Sequence, residues 1–179
     1  QHSRTGVMGD RSTIFFNPFR RKWVYSIRSQ WSGKRSRSYS ECDDLLQGAA
    51  LTNTVTWTRT DNLDLEDPII RMTPELYNLD AVAYESIMLG GFAILLGPSN
   101  IECYNTGTPK ITEIQLGYSR DGFHWHRPDR KPFIAASRDS QKWDYGYLQT
   151  NSALCLVVGD ELWFYYGAFQ GITGPSNAE

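Results

Sequence analysis

Two acidic side chains stand out for where they lie relative to predicted β-strands. Asp10 comes directly before the β-branched and aromatic run 12–16, and Glu85 lies inside the apolar run AVAYESIML. A carboxylate in an apolar run either faces an open channel or is paired, because burying an unpaired charge is very costly. Desolvation would favour the protonated form of Glu85, as a general acid requires. The two residues are therefore candidates for acid–base chemistry.

Further candidates lie near the start of each repeated unit described below. If the first strands of these units converge, side chains at their beginnings share one binding surface. The candidate ligand-binding residues are Arg11, Asp80, Tyr84, Asp144, Tyr145, Tyr147 and Gln149. An alternative stays open, in which Asp10 only caps a turn and Glu85 pairs with Arg11 or Arg71.

Other kinds of site lack their sequence signatures. His124 and His126 have no third ligand at a matching spacing, which indicates a solvent-facing pair rather than a metal site. Cys42, Cys103 and Cys155 form no CxxC pattern, which argues against a disulfide framework or a zinc site, and Cys155 is expected in the core. No glycine-rich phosphate loop, GxSxG or HExxH motif is present. We therefore expect neither a metal nor a cofactor.

The elements that must position these residues are three β-hairpins. In the first, a strand over 12–16 is broken by Asn17-Pro18, and residues 22–28 then alternate with a period of two. This alternation predicts a strand with one buried face.

The second and third hairpins follow the same pattern. Residues 83–89, a Gly90-Gly91 turn and residues 92–96 form the second, since glycine supplies the positive φ of tight turns. Residues 152–158, Gly159-Asp160 and residues 161–166 form the third. The segment 74–90 also fits a helical stripe, but the hairpin pattern favours a strand from Ala83.

A repeat connects the first two units. Tyr39-Ser40 in SRSYSECDD and Tyr118-Ser119 in LGYSRDGFHW occupy matching places, 79 residues apart (118 − 39). The spacing suits a propeller blade with insertions. The sequence thus predicts an all-β chain, a β-propeller with about two and a half blades of four-stranded antiparallel sheets; the resemblance described below implies the five-bladed type. The units span 10–59, 80–134 and 143–179, the last incomplete, and the acidic segment 60–80 forms an excursion over one rim.

One turn in the second unit has a structural explanation. In the string SRDGFHW, Asp121 is expected to cap the amides of a tight turn while Gly122 takes the left-handed conformation. Trp125 then returns to pack against a neighbouring sheet. We expect Asp121 and Trp125 to be structural.

The composition limits the partners. A net charge of −2 argues against general nucleic-acid binding, and the basic clusters 20–22 and 34–37 are expected to be solvated surface. The longest apolar run, 87–96, contains two glycines and is too short to span a bilayer, and no signal peptide is visible. Two and a half blades do not close a ring, so we expect the remaining blades to come from a longer chain or another subunit.

The order of GDRSTIFFNPFRRKWVYSIR, AYESIMLGGF and LGYSRDGFHWHRP resembles the five-bladed β-propeller glycoside hydrolases of families 32 and 43, most closely an uncharacterised bacterial branch similar to family 32. The family-32 motifs Asn-Asp-Pro-Asn and Arg-Asp-Pro are absent. Glu41-Cys42 matches the Glu-Cys of the acid motif only as a dipeptide, and we treat that match as chance.

The resemblance implies a glycosidase that acts on a carbohydrate, with Asp10 as base or sugar-binding acid and Glu85 as general acid. It also implies a soluble protein, with an extracytoplasmic location consistent with the family. Hydrolysis needs two carboxyl groups about 5 Å apart for retention or about 6.5–9.5 Å apart for inversion. The alternatives are a carbohydrate-binding propeller without hydrolysis and a protein-interaction scaffold.

Overall fold

Three antiparallel sheets make up the computed structural model, which describes residues 6–170 apart from the side chain of Ser152. The first sheet has the order β1-β2-β3-β4 with strands Thr13–Asn17, Lys22–Trp31, Lys34–Cys42 and Val55–Thr58. The second has β5 (Glu75–Tyr84), β6 (Ile87–Gly97) and β7 (Ile111–Ser119), and the third has β8 (Gln149–Val158) and β9 (Glu161–Gly167). The prediction of an all-β chain with antiparallel sheets is confirmed.

The first and third hairpins form as predicted, β1 with β2 and β8 with β9. The expectation of one buried face on β2 is wrong, because Val24 and Tyr25, on opposite faces, are both fully buried. Val24 packs with Phe15 and with Met88 of the second sheet. On the other face, the Tyr25 hydroxyl donates to the carbonyl oxygen of Leu45 in the short helix α1 (Leu45–Gly48).

The second hairpin differs from its prediction. Its turn lies at 85–86, and Gly90 and Gly91 lie inside β6, paired with Ala81 and Asp80 of β5. The glycines are required by packing, since a Cβ on Gly90 would lie 2.5 Å from the Trp125 ring. The strand preference over helix is correct, but β5 begins at Glu75, eight residues before the predicted start (83 − 75).

The second sheet lacks a regular fourth strand among the described residues. β7 pairs on its outer edge only through isolated bridges, in parallel from Thr112 to Tyr147 and antiparallel from Tyr118 to His126 and from Ile114 to Ile134. Pro128 and Pro132 lie between the two antiparallel bridges, and proline has no amide hydrogen for a ladder. No closed sheet occurs within residues 6–170, so the five-bladed propeller stays a prediction. Residues 171–179 of the predicted third unit lie outside the described residues.

The sheets pack face to face through apolar side chains. Phe15, Val24 and Tyr39 of the first sheet contact Ala81 and Met88 of the second. Ile111 and Ile114 of the second sheet form a core with Ala136 and Leu148, which precede β8, and Tyr166 of the third sheet packs against this core. β5 lies between β1 and β8, because side chains of both strands hydrogen-bond to it.

The predicted Asp121 turn joins the first two sheets. Asp121 Oδ1 accepts hydrogen bonds from the amides of Phe123 and His124, at 2.9 and 2.8 Å. Gly122 has a φ of 74°, and the Asn17 side chain donates to the Asp121 carbonyl oxygen at 2.7 Å. Trp125 packs edge-on against Phe92 of β6 and also against the apolar cluster between the first two sheets. The structural roles predicted for Asp121 and Trp125 are confirmed.

Two ion-paired arginines fix the excursion before β5. Arg127 and Arg130 both contact the buried carboxylate of Asp64, at 2.7 and 2.9 Å. The excursion ends at β5, earlier than predicted. A second helix, α2 (Asn100–Thr106), lies between β6 and β7. Neither this helix nor any other within residues 6–170 is long and apolar enough to cross a membrane.

Candidate functional site

The first strands of the first two sheets begin at the same end of the molecule. The Thr13 hydroxyl donates to the Leu79 carbonyl oxygen at 2.8 Å. The Arg37 guanidinium donates to the carbonyl oxygens of Arg11 and Tyr77. These two residues lie two positions before Thr13 and Leu79, respectively. β1 and β5 thus run in the same direction, and the residues that precede β1 lie beside the first half of β5.

Asp10 is held by two arginines at this end. Its Oδ1 contacts the guanidinium of Arg28, and its Oδ2 lies 3.2 Å from that of Arg35. Partial burial opposes ionisation, but the positive charges of Arg35 and Arg28 outweigh it and hold the pKa of Asp10 below its usual range. Asp10 is therefore an ionised carboxylate at neutral pH.

Glu75 is a second carboxylate that contacts Arg35. The backbone amide of Arg35 donates to Glu75 Oε2 at 3.3 Å, and the Arg35 guanidinium lies 3.9 Å from the centroid of the Tyr77 ring. Glu75 is half-buried at the start of β5. We call Asp10, Arg28, Arg35 and Glu75 the Asp10 cluster.

The segment that precedes β8 reaches the same neighbourhood through Tyr147. Its ring packs edge-on against Tyr77, with centroids 5.7 Å apart, and the Arg11 guanidinium lies 5.9 Å from its centroid. Tyr147 and Tyr77 are each 1% exposed, so they form a buried aromatic layer next to the Asp10 cluster. Arg11 is exposed and has a φ of 56°.

Glu85 lies at the other end of β5. It is exposed in the turn to β6 with a φ of 49°, so the expectation that it is desolvated inside a strand is wrong. Six residues separate it from Leu79, which corresponds to about 20 Å of strand. Asp10 lies beyond Thr13 in the opposite direction. The structure does not bring Asp10 and Glu85 within the separation that glycoside hydrolysis requires.

Asp80 lies buried between the sheets and is 1% exposed. Its Oδ2 accepts from the Thr150 hydroxyl and from the Asn78 side-chain amide, the latter at 3.0 Å. Burial raises the pKa of Asp80, although these hydrogen bonds and the charge of Arg37 oppose the shift. The residue links β5 to β8 and is covered, so the structure does not place it on an open sugar-binding surface.

The remaining predicted residues are dispersed. Tyr84 is half-buried beside Glu85, and Gln149 is buried at the start of β8. The backbone carbonyls of Asp144 and Tyr145 accept from residues 137 and 138 in the loop before β8. Of the predicted site residues, the structure places Asp10, Arg11 and Tyr147 near one another, and their roles stay predictions.

His124 and His126 are exposed, as expected. His124 pairs with Asp121 at 2.7 Å, and His126 stacks on Tyr118. In the part of the chain that the structure describes, no three metal-ligating side chains of the His, Cys, Asp or Glu type are grouped as a metal site.

Sequence analysis missed Arg28, Arg35 and Glu75. Arg28 of β2 and Arg35 of β3 lie close together, because the register pairs Arg28 with Arg37 and Gln30 with Arg35. An antiparallel alignment of 22–31 with 34–42 would have brought both arginines to the end that carries Asp10. Glu75 was missed because β5 was predicted to begin at Ala83.

Comparisons with known proteins add one distant likeness. No protein-family model matches this chain, and no curated protein sequence matches it. Among solved structures, the chain resembles a candidate glycoside hydrolase from Parabacteroides distasonis ATCC 8503, with 15% sequence identity and a TM-score of 0.41. The alignment covers 87% of this chain and 41% of that one, so this chain spans less than half the length of that protein. At this level of similarity the likeness assigns no role to any residue.

Proposed function

We propose that the Asp10 cluster is the carbohydrate site of a glycoside hydrolase-like protein. The three sheets would be consecutive blades of a five-bladed propeller related to families 32 and 43, and its other blades would come from a longer chain or another subunit. The adjacent starts of β1 and β5 support this proposal, because ligands of propellers bind where the innermost strands begin.

The observation that carries the proposal is the contact of two carboxylates with Arg35. Asp10 binds its guanidinium at 3.2 Å, and Glu75 binds its amide at 3.3 Å. Asp10 is ionised, as a nucleophile or a base must be, and the half-buried Glu75 is the neighbouring carboxyl group that would act as the proton donor. Glu75 thus replaces Glu85 as the partner of Asp10 in the proposed pair.

A second candidate function is carbohydrate binding without hydrolysis. Both oxygens of Asp10 contact arginines, Oδ1 with Arg28 and Oδ2 with Arg35. A carboxylate stabilised by two cations is a weak base, but it remains a good acceptor for sugar hydroxyl groups. This geometry favours the binding function if Arg28 and Arg35 stay in place when a sugar is bound.

The test compares three isosteric variants, Asp10→Asn, Glu75→Gln and Glu85→Gln. Release of reducing ends from a panel of polysaccharides measures hydrolysis, and calorimetry with the corresponding oligosaccharides measures binding. We expect Asp10→Asn and Glu75→Gln to reduce turnover by about a hundredfold or more. Glu85→Gln is the matched control and should behave like the wild type.

Each outcome distinguishes the candidates. Saccharide binding without turnover in the wild type, weakened by Asp10→Asn, supports the binding function. Loss of turnover in Glu85→Gln but not in Glu75→Gln contradicts the proposed pair. Absence of any saccharide binding contradicts both candidates and favours a protein-interaction scaffold.

A further inference from the structure

A cleft of about 520 Å³ opens beside the Asp10 cluster. It lies between the turn joining β2 to β3 and the segment 59–63, and Arg35 belongs both to its wall and to the Asp10 cluster. We call it the Trp31 cleft, after the residue at the end of β2 that lines it together with Lys34, Arg35, Arg59 and Asn62. A smaller cleft of about 310 Å³ shares Trp31 and Arg59 with it.

The charges in the Trp31 cleft do not balance. Lys34 and Arg59 are exposed and form no ion pair within residues 6–170. The carboxylate that lines the cleft, Asp61, already contacts Arg130 at 2.8 Å, and Arg35 already contacts Asp10. Two cations therefore face the cleft without compensation. A concave surface focuses such a field and favours an anionic ligand.

An aromatic platform lies beside these cations. Trp31 is 43% exposed, and the Arg59 guanidinium lies 4.7 Å from its ring centroid. This contact holds the charge of Arg59 next to a flat apolar surface that is fixed at the end of a strand. The Asn62 side chain adds hydrogen-bonding capacity to the same wall. A ring with C–H faces, hydroxyl groups and a negative substituent matches all three features.

We propose that the Trp31 cleft binds an acidic sugar unit, which carries a carboxylate or a sulfate, in the same glycan that the Asp10 cluster holds. The inference rests on the proposed function, because Arg35 lines the cleft and also contacts Asp10, so the two sites are adjacent. Lys34 and Arg59 bind the anionic group, and Trp31 packs against the sugar ring.

The test uses matched pairs of oligosaccharides and a double variant, Lys34→Gln with Arg59→Gln. An oligogalacturonate is compared with its methyl ester, and a dextran sulfate oligosaccharide with unsulfated dextran, by calorimetry. We expect the double variant to bind an acidic oligosaccharide about tenfold more weakly and to leave affinity for the neutral counterparts unchanged. The control is Arg120→Gln with Lys142→Gln, which removes the same charge from exposed positions outside the cleft.

The carboxylated and sulfated series show which anionic group the cleft prefers. Preference for either acidic form over its neutral counterpart supports the proposal. Equal affinity of the wild type for acidic and neutral forms overturns it and leaves the Asp10 site intact if Asp10→Asn weakens both. An equal loss in the control variant overturns it as well, because the effect is then general electrostatics. Displacement of the acidic oligosaccharide by an equal concentration of inorganic phosphate overturns the proposal, because the cleft is then an anion site without glycan recognition. Absence of all saccharide binding overturns both proposals.

Discussion

The guanidinium of Arg37 in the first sheet donates a hydrogen bond of 3.2 Å to the carbonyl oxygen of Tyr77 in the second. The same group bonds the Ser26 hydroxyl, the Ser26 carbonyl and the Arg11 carbonyl, and Arg37 is fully buried. Burial lowers the pKa of Arg37 to about 10, against the attraction of Asp80, so the side chain stays protonated at neutral pH. A single buried cation thus joins the starts of β1 and β5.

Replacement of Arg37 by glutamine should therefore destabilise the protein strongly. Removing one partner from a buried, fully bonded charge leaves several acceptors unsatisfied, and we expect a loss of about 3 kcal/mol in the free energy of unfolding. Urea denaturation measures the loss. The exposed Arg21, changed in the same way, should alter the free energy of unfolding by less than about 0.5 kcal/mol. Similar values for the two variants would contradict the role of Arg37.

Gly90→Ala should destabilise the second sheet. Its new Cβ would lie 2.5 Å from the Trp125 ring and 3.0 Å from Phe92, so the rings must move or β6 must shift. We expect a cost of about 1–3 kcal/mol, as for other overpacked cores. Gly167→Ala is the control, because a Cβ at Gly167 meets nothing within 4 Å. Thermal unfolding of both variants should separate them, and a Gly90→Ala protein as stable as the control would contradict this packing.

Asp80→Asn should change how stability depends on pH. Since the folded-state pKa of Asp80 is raised, the folded state holds its proton above the unfolded pKa, and stability falls as pH rises between the two values. The asparagine variant lacks this loss. Its stability relative to the wild type should therefore increase from about pH 4 to about pH 7 in urea denaturation series. A constant difference across this range would show that Asp80 does not titrate in this interval.

The pKa of Asp121 is shifted in the opposite direction, so its contribution to stability depends on pH with the opposite sign. Burial would raise its pKa, but hydrogen bonds from His124, Phe123 and Ser119 outweigh burial and lower it. Its contribution to stability is complete above the unfolded pKa of about 3.9 and is lost as pH falls through the lower folded value. Asp121→Ala should cost about 1 kcal/mol at neutral pH, as the loss of other side-chain caps does.

Stability measurements at acid pH provide the control for this prediction. The difference between wild type and Asp121→Ala should shrink below about pH 4, and Asp121→Asn, which keeps the acceptor oxygen, should lie between the two. An Asp121→Ala protein whose deficit grows on acidification would contradict the assignment.

Local sequence patterns predicted the hairpins whose turns carry their own signals. Asn17-Pro18 and Gly159-Asp160 mark real turns, and the 79-residue repeat places Tyr39 and Tyr118 on equivalent third strands. Gly90-Gly91 carried the same local signal but lies in a strand. The cause is not local, since Trp125 and Leu154 occupy the space that side chains would need.

That single error also determined which acid was selected as the partner of Asp10. Moving the turn from 90–91 to 85–86 puts Glu85 at the hairpin tip and extends β5 back to Glu75. The adjacency of Asp10, Arg28 and Arg35 follows from the registers of β1 with β2 and of β2 with β3, whereas that of Glu75 depends on contacts between sheets. Such long-range pairings leave no periodic signal in a single sequence.

The irregular outer edge of β7 has a consequence for self-association. An exposed strand edge is a template for a strand of another molecule, and open edges lead to aggregation. Here the segment that contains Pro128 and Pro132 forms two isolated bridges with β7 and further side-chain hydrogen bonds to Gln115, so it occupies the edge without a continuous ladder of its own. This segment therefore protects the β7 edge of the second sheet from pairing with a strand of another molecule, although it does not form a regular fourth strand.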